Sequence, residues 1–288
     1  MPEIIYKSKA GKILHGYIRE MDETFSFHRS RLCKKVNEED IHYLRRAMKK
    51  LKALYRLVEQ TDNRFIAKKR FKPVKKIFNL SGELRELQVN QKLISTYNAP
   101  DCVVENYSQF YKERRKHLKK QLNKALKNFD ERGHRKSLRK VSKVCARLDT
   151  GHIIGSVASF IGNTTMQARN FFLPDISEAS LHSVRILFKL IGPSLAIMEL
   201  VNRNSVEKPV VLRYKNIEDK LGYWHDRAIL LQSITGALMD TLGSLEKRLE
   251  FQKLQVKISA ENTVLIQELI PEIKKALNET SLKTRTNV

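Results

Sequence analysis

Residues 41–54 read Ile41-His42-Tyr43-Leu44-Arg45-Arg46-Ala47-Met48-Lys49-Lys50-Leu51-Lys52-Ala53-Leu54, and residues 181–189 read Leu181-His182-Ser183-Val184-Arg185-Ile186-Leu187-Phe188-Lys189. Both carry His-x-x-Arg-x-x-x-Lys, and the offset between the copies is 140 residues at all three positions, close to half of the 288-residue chain. Successive helical residues turn by about 100°, so each triplet falls within a stripe of about 60°. In the first copy Arg46, Lys52 and Arg56 join the cationic side, while Leu44, Met48, Leu51, Tyr55 and Val58 form the opposite, apolar stripe. That is an amphipathic helix with a basic face. In the second copy Leu181, Val184, Ile186, Leu187, Phe188, Leu190 and Ile191 are apolar on almost every other face, which predicts a buried helix. Cations on such a helix need counter-charge or a wet cavity, since unpaired buried charge is expensive.

The same offset extends outward from the motifs. Asn37 and Ser177 are good N-caps placed just before them, and Gly11 matches Gly151, Arg29 matches Arg169, Lys75 matches Lys215 and Gly82 matches Gly222. Helical periodicity predicts eight helices over roughly 11–33, 37–60, 71–97, 102–130, 134–172, 177–202, 210–240 and 242–278. Turn signals at Asn98–Asp101, Asp130–Gly133, Leu173–Asp175 and Asn202–Ser205 separate them. Pro209–Leu212 also reads as a short strand, but one strand has no partner. The expected fold is all-α: two four-helix bundles related by a pseudo-two-fold axis, with halves over about 11–132 and 134–280, an N-terminal extension over 1–10 and a tail over 281–288.

Charge narrows the partners. The chain has 55 Lys and Arg against 31 Asp and Glu, a formal net charge of +24. Such an excess gathers anions without choosing among nucleic acid, inorganic polyphosphate and an anionic membrane surface. Cys33, Cys102 and Cys145 are odd in number and far apart, so neither a disulfide framework nor a metal motif is expected, and a reduced cytoplasm suits them. The opening MPEIIYKSKAGK lacks the apolar core of a signal peptide. The longest apolar stretch, Ile186–Val201, contains Lys189, Pro193 and Glu199 and is too short and polar to span a bilayer. Membrane insertion is not expected.

Arg presents a planar fork for bidentate contact with phosphate, Lys a compact charge, and His gains a proton more readily beside anions. Rows of such groups suit a repeating polyanion. The third helix of each half adds Arg85-Glu86 and His225-Asp226, again 140 apart. Each is a further phosphate donor with an acidic neighbour, or a local ion pair. His225-Asp226 also suggests a metal-dependent phosphohydrolase, but Arg85 in the equivalent place cannot ligate a metal and no further ligand spacing accompanies the pair. Secondary candidates are Lys75 and Lys215 beside these pairs, Arg114 and Lys119 in the dense run of the fourth helix, and the repeated Arg29 and Arg169. The basic segment 134–143 has no counterpart 140 residues on and reads as general electrostatics. There is no Gly-rich phosphate loop or nucleophile elbow, and no metal, cofactor or catalysis is expected. The aromatic residues sit at apolar helix positions and are not interleaved for stacking on bases, so nucleic acid stays open but second.

The two motif segments resemble those of the CHAD domain family, a histidine-bearing α-helical domain. Ile41–Leu54 is similar to that family's first VHxLRVxxRRLRAxL segment, and Leu181–Lys189 to its second, LHxLRIxxKRLRY. Leu84–Val89 and Leu221–Asp226 resemble the segments that follow each, and the likeness covers roughly residues 10–280. It implies paired four-helix bundles around a basic central groove or pore, and binding of inorganic polyphosphate without catalysis by the domain itself; with the charge and the cysteines, the expected setting is the cytoplasm, with recruitment to polyphosphate granules. Carried over residue by residue, it implies His42, Arg45, Lys49, Lys50 and Lys52 in the first motif and His182, Arg185 and Lys189 in the second. Leu190, Gly192 and Pro193 stand where the family usually has Arg, Arg and Tyr, which predicts a site weighted towards the first half. Pro193 is also expected to kink or break its helix.

Overall fold

The computed structural model describes residues 5–99, 101–172, 176–203, 207–238 and 244–278. The turn over 173–175, parts of those at Asn98–Asp101 and Asn202–Ser205, the end of the 210–240 helix and the 281–288 tail lie outside the described residues. Those residues form nine α-helices and no strand: α1 (Lys9–Lys34), α2 (Glu38–Thr61), α3 (Ala67–Thr96), α4 (Asp101–Lys127), α5 (Glu131–Arg147), α6 (Thr150–Asn170), α7 (Glu178–Val201), α8 (Lys208–Leu238) and α9 (Leu245–Asn278).

Local chemistry sets most boundaries. Ser8, Asn37, Asp130, Asp149 and Ser177 each accept a hydrogen bond from the backbone N–H three residues on, removing one orphan donor of a first helical turn. Ile66 cannot cap α3, and Glu59 does so instead, accepting from Ala67 N at 2.8 Å. At the end of α3, Asn98 adopts φ 47°, the left-handed conformation that asparagine tolerates and that stops a helix.

Four expectations are corrected here. The single helix expected over 134–172 is two, broken at Leu148-Asp149, because Asp149 caps a new helix through His152 N at 2.7 Å. Asp130–Gly133 is not a free turn: Asp130 caps α5, which already includes Gly133. Pro209–Leu212 lies in the first turn of α8, where a proline costs no hydrogen bond, and forms no strand. Pro193 sits inside an unbroken α7, and Ser194 Oγ donates to Leu190 O at 2.8 Å beside it.

The core is a set of facing apolar stripes. On α2 these are Ile41, Leu44, Met48, Leu51, Tyr55 and Val58, and on α7 Leu181, Val184, Phe188, Ile191, Leu195 and Met198, all at most 2% exposed. The six positions correspond at the 140-residue offset. Burying one such side chain contributes about 1.5–3 kcal/mol, so twelve of them fix which face of each motif helix points outward. α1 packs on α2, α2 on α3, α3 on α4 and α4 back on α1; α6, α7, α8 and α9 follow the same order. α2 also packs on α7 and α3 on α8, while α5 lies on α1, α2 and α3. None of the described helices is long and apolar enough to cross a membrane.

Candidate functional site

The packing of α2 on α7 and of α3 on α8 brings the charged faces of four helices to one place. From α2 come Arg45 and Lys49, from α3 Arg85 and Glu86, from α7 Arg185 and Lys189, and from α8 Glu218, His225 and Asp226. Their mutual fields define the cluster. Lys49, whose side chain still reaches solvent, is lowered from the usual lysine range by partial burial and Arg45, with Arg185 acting in the same direction, while Glu218 and Asp226 oppose. Lys189 is brought down to about 7 by burial, Arg185 and Lys49, against the same two carboxylates. The two motif lysines, 140 residues apart in sequence, therefore lie within electrostatic reach of each other and share counter-charges.

The motif arginines differ. Arg45 donates from Nη1 to Phe78 O at 2.6 Å and lies over the Phe78 ring at 4.7 Å. Burial and Arg85 lower its pKa to about 10, with Glu86 opposing. An added Cβ at Gly82 would come within 2.7 Å of Arg45 Nη1, so that glycine makes room for the guanidinium. Arg185 is buried, only 9% exposed, and its Nε is covered without a hydrogen-bond partner among the described residues. Burial lowers its pKa, while Asp226 and Glu218 hold the charge in place.

The carboxylates are the counterweight. Burial raises Glu218, Asp226 and Glu86, and the surrounding cations oppose it. Glu218 was not among the residues that the sequence singled out. Its signal lay in Gly192: a Cβ there would meet Glu218 Oε2 at 2.8 Å, so glycine, where the family usually has arginine, admits the carboxylate. His42 and His182 are exposed at the edge of the cluster. His42 is lowered by burial, Arg85, Arg46 and Lys49. His182 packs its ring 5.3 Å from that of His225, which burial and the charges of Arg185, Lys189 and His182 push down to about 3. Among the described residues no group of three or more His, Cys, Asp or Glu is arranged to hold a metal ion, His225 and Asp226 included.

The other predicted residues go elsewhere. Lys52 lies over Phe78 and Phe71 at 5.5 and 5.7 Å and is lowered by burial, Arg56 and Lys75, continuing the stripe of α2. Lys50 lies over Tyr17 of α1, on another side of the helix. Arg29 donates to Leu126 O at 3.2 Å and Arg169 Nε to Leu277 O at 2.9 Å; each binds a carbonyl in the last turn of α4 or α9, a structural task. Arg114 pairs with Glu83 at 3.0 Å. Lys119 is lowered by burial and Arg115, near Glu38 and Lys35 rather than in the cluster. Lys215 is exposed.

The CHAD domain family matches residues 17–235, three quarters of the chain. This chain belongs to the CHAD domain family. The crystal structure of the CHAD domain from the plant Ricinus communis aligns with it over 96% of this chain and 93% of that one, with a TM-score of 0.68 at 12% identity. At that identity the likeness speaks for the fold. No curated protein matches the sequence. The match stops at 235, so all of α9 lies beyond it, yet α9 closes on α6 as α4 closes on α1.

Proposed function

We propose that this CHAD domain binds inorganic polyphosphate, without catalysis, in a cationic groove where α2 and α7 meet, and that α1–α4 and α6–α9 are four-helix bundles related by a pseudo-two-fold axis passing near it. The observation that carries this reading is the meeting of Lys49 and Lys189, whose ammonium groups crowd each other and share Glu218 and Asp226. Cations held together at such a cost are relieved by a ligand of dense negative charge. Four cations, Arg45, Lys49, Arg85 and Arg185, face three carboxylates, Glu86, Glu218 and Asp226, and Lys189 adds a fifth charge when protonated, which leaves a net positive groove for a phosphate chain. A compartment follows from the ligand: cytoplasmic protein gathered on polyphosphate granules.

The test is isothermal titration with long-chain polyphosphate at physiological salt, with RNA as competitor. Tight binding that collapses when His42, Arg45, Lys49, His182, Arg185 and Lys189 are all changed to Ala supports the reading. Affinity unchanged by those six substitutions removes the site, and RNA displacing polyphosphate at equal phosphate makes nucleic acid the ligand instead. Orthophosphate released from polyphosphate in the presence of divalent metals would refute the absence of catalysis.

A further inference from the structure

α5 has no counterpart in the 140-residue correspondence that pairs α1–α4 with α6–α9. Its buried face is ordinary core: His134, Leu138, Val141 and Cys145 against α1 and α3. Its outer face is not ordinary. Arg132, Arg135, Lys136, Arg139, Lys143 and Arg147 are all exposed, with Lys140 half-buried. These seven fall within a stripe of about 140° that runs for about 23 Å along the helix. The sole exposed acid on α5, Glu131, is paired with Arg135.

Both ends of this stripe open into recesses. One, of about 470 Å³, lies between the start of α3, the end of α4 and the start of α5; Lys69, Arg70, Lys72, Lys76, Lys124 and Lys136 line it. Its one carboxylate, Asp130, is engaged by the α5 amide of Gly133. Arg70 Nε is covered there and has no hydrogen-bond partner among the described residues. The other recess, of about 740 Å³, lies between the end of α2 and the end of α5; Arg64, Lys140, Lys143 and Arg147 line it with a single carboxylate, Asp62, which Arg64 already holds at 3.4 Å.

We propose that α5 and its two recesses form a second polyanion site, which takes a further stretch of a linear phosphate chain. The proposal rests on the reading of the groove at Lys49 and Lys189 as a polyphosphate site, and adds a second point of attachment for long chains. A thin, flexible chain can dip into both recesses and follow the stripe between them. A stiff duplex cannot enter them, and Phe129 is the single aromatic lining either, too few for stacking a single strand of bases. Two attachments on one chain multiply affinity through effective concentration, so the site selects for length.

The experiment compares long-chain polyphosphate with tripolyphosphate on the full chain. Lys136→Gln/Arg139→Gln/Lys143→Gln removes three exposed cations from α5; Lys112→Gln/Lys116→Gln/Lys120→Gln removes three exposed lysines from α4 as a control of equal charge. We expect the α5 variant to lose at least tenfold in long-chain affinity, with the slope of log K against log salt reduced by about 2, and the control to lose much less. An α5 variant no weaker than the control overturns the proposal while leaving the groove reading intact. If Lys49→Gln/Lys189→Gln leaves long-chain binding untouched and the α5 variant abolishes it, the groove reading fails and the α5 site stands. Loss of duplex DNA binding alone in the α5 variant overturns the proposal in favour of nucleic acid.

Discussion

Replacing Lys189 with methionine should make the free protein more stable, and more so in acid than in base. Methionine keeps an unbranched chain of similar length and removes the charge. The native pKa of Lys189 stands at about 7 against 10.5 for an unperturbed lysine. At about 1.36 kcal/mol per pH unit that gap sets a ceiling near about 5 kcal/mol on the cost of charging it, and solvent reaching the half-buried side chain reduces this to about 2 kcal/mol. Below pH 7 the amine is charged in both folded and unfolded chains, so the full cost is present. Between about 7 and 10.5 the folded chain has released the proton and the unfolded chain has not, so the wild type gains stability as pH rises. Lys189→Met should therefore exceed the wild type by about 2 kcal/mol near pH 6 and by about half of that or less near pH 9. Urea unfolding followed by far-ultraviolet circular dichroism measures both. A variant less stable than wild type near pH 6, or an advantage that grows with pH, would mean that Glu218 and Asp226 stabilise the ammonium more than Arg185, Lys49 and burial oppose it, and the crowding behind the groove reading would be refuted.

Polyphosphate binding should draw a proton onto Lys189, since a polyanion raises its pKa; affinity falls as pH rises above 7, by up to about tenfold per unit, and calorimetry in buffers of different ionisation heat should record proton uptake. Gly82→Ala pushes a Cβ against Arg45 Nη1, so the helix gain of about 0.5–1 kcal/mol is offset by the lost bond to Phe78 O and polyphosphate affinity falls several-fold, whereas Gly222→Ala meets nothing within 4 Å and raises the melting temperature without touching affinity. Arg169→Met strips the Leu277 carbonyl of its donor and costs about 1–2 kcal/mol in chemical unfolding, with unchanged polyphosphate affinity. Gly192→Ala displaces the Glu218 carboxylate, loosens the counter-charge on Lys189 and lowers its pKa further, which a titration of the proton uptake reads as a shift to lower pH.

Much of this was legible in the sequence because periodicity and capping are local. The apolar stripe Leu44, Met48, Leu51, Tyr55 and Val58 is buried as its spacing predicts, and Asn37 and Ser177 cap α2 and α7. What escaped was of two kinds. The break at Leu148-Asp149 carried a capping signal, Asp149 followed by Thr150 and Gly151, that the long apolar periodicity overrode. The tasks of Arg29 and Arg169 depend on carbonyls 97 and 108 residues away, which no spacing along the chain reveals. The repeat carries a second meaning there: a helix end that recurs in both halves needs its capping arginine to recur.

The asymmetry between the halves has a physical logic. In the first half Arg45 is satisfied by a backbone carbonyl, so α3 can present Phe78 at that level; in the second, position 218 is a glutamate, and its carboxylate serves Lys49, Arg185 and Lys189 together. An arginine at 192, as the family usually has, would occupy the space into which Glu218 Oε2 reaches. An arginine at 192 and the Glu218 carboxylate in its present place are thus sterically incompatible. The Glu218 carboxylate offsets the charges of Lys49, Arg185 and Lys189, and under the proposed function each incoming phosphate would have to displace or neutralise it. Glu218→Gln should accordingly tighten polyphosphate binding several-fold and lower the folded chain's stability, since Lys49, Lys189 and Arg185 then repel one another with only Asp226 between them. Titration calorimetry and urea unfolding of that one variant must move in opposite directions; if both weaken, Glu218 is part of the ligand's own contact set rather than its competitor.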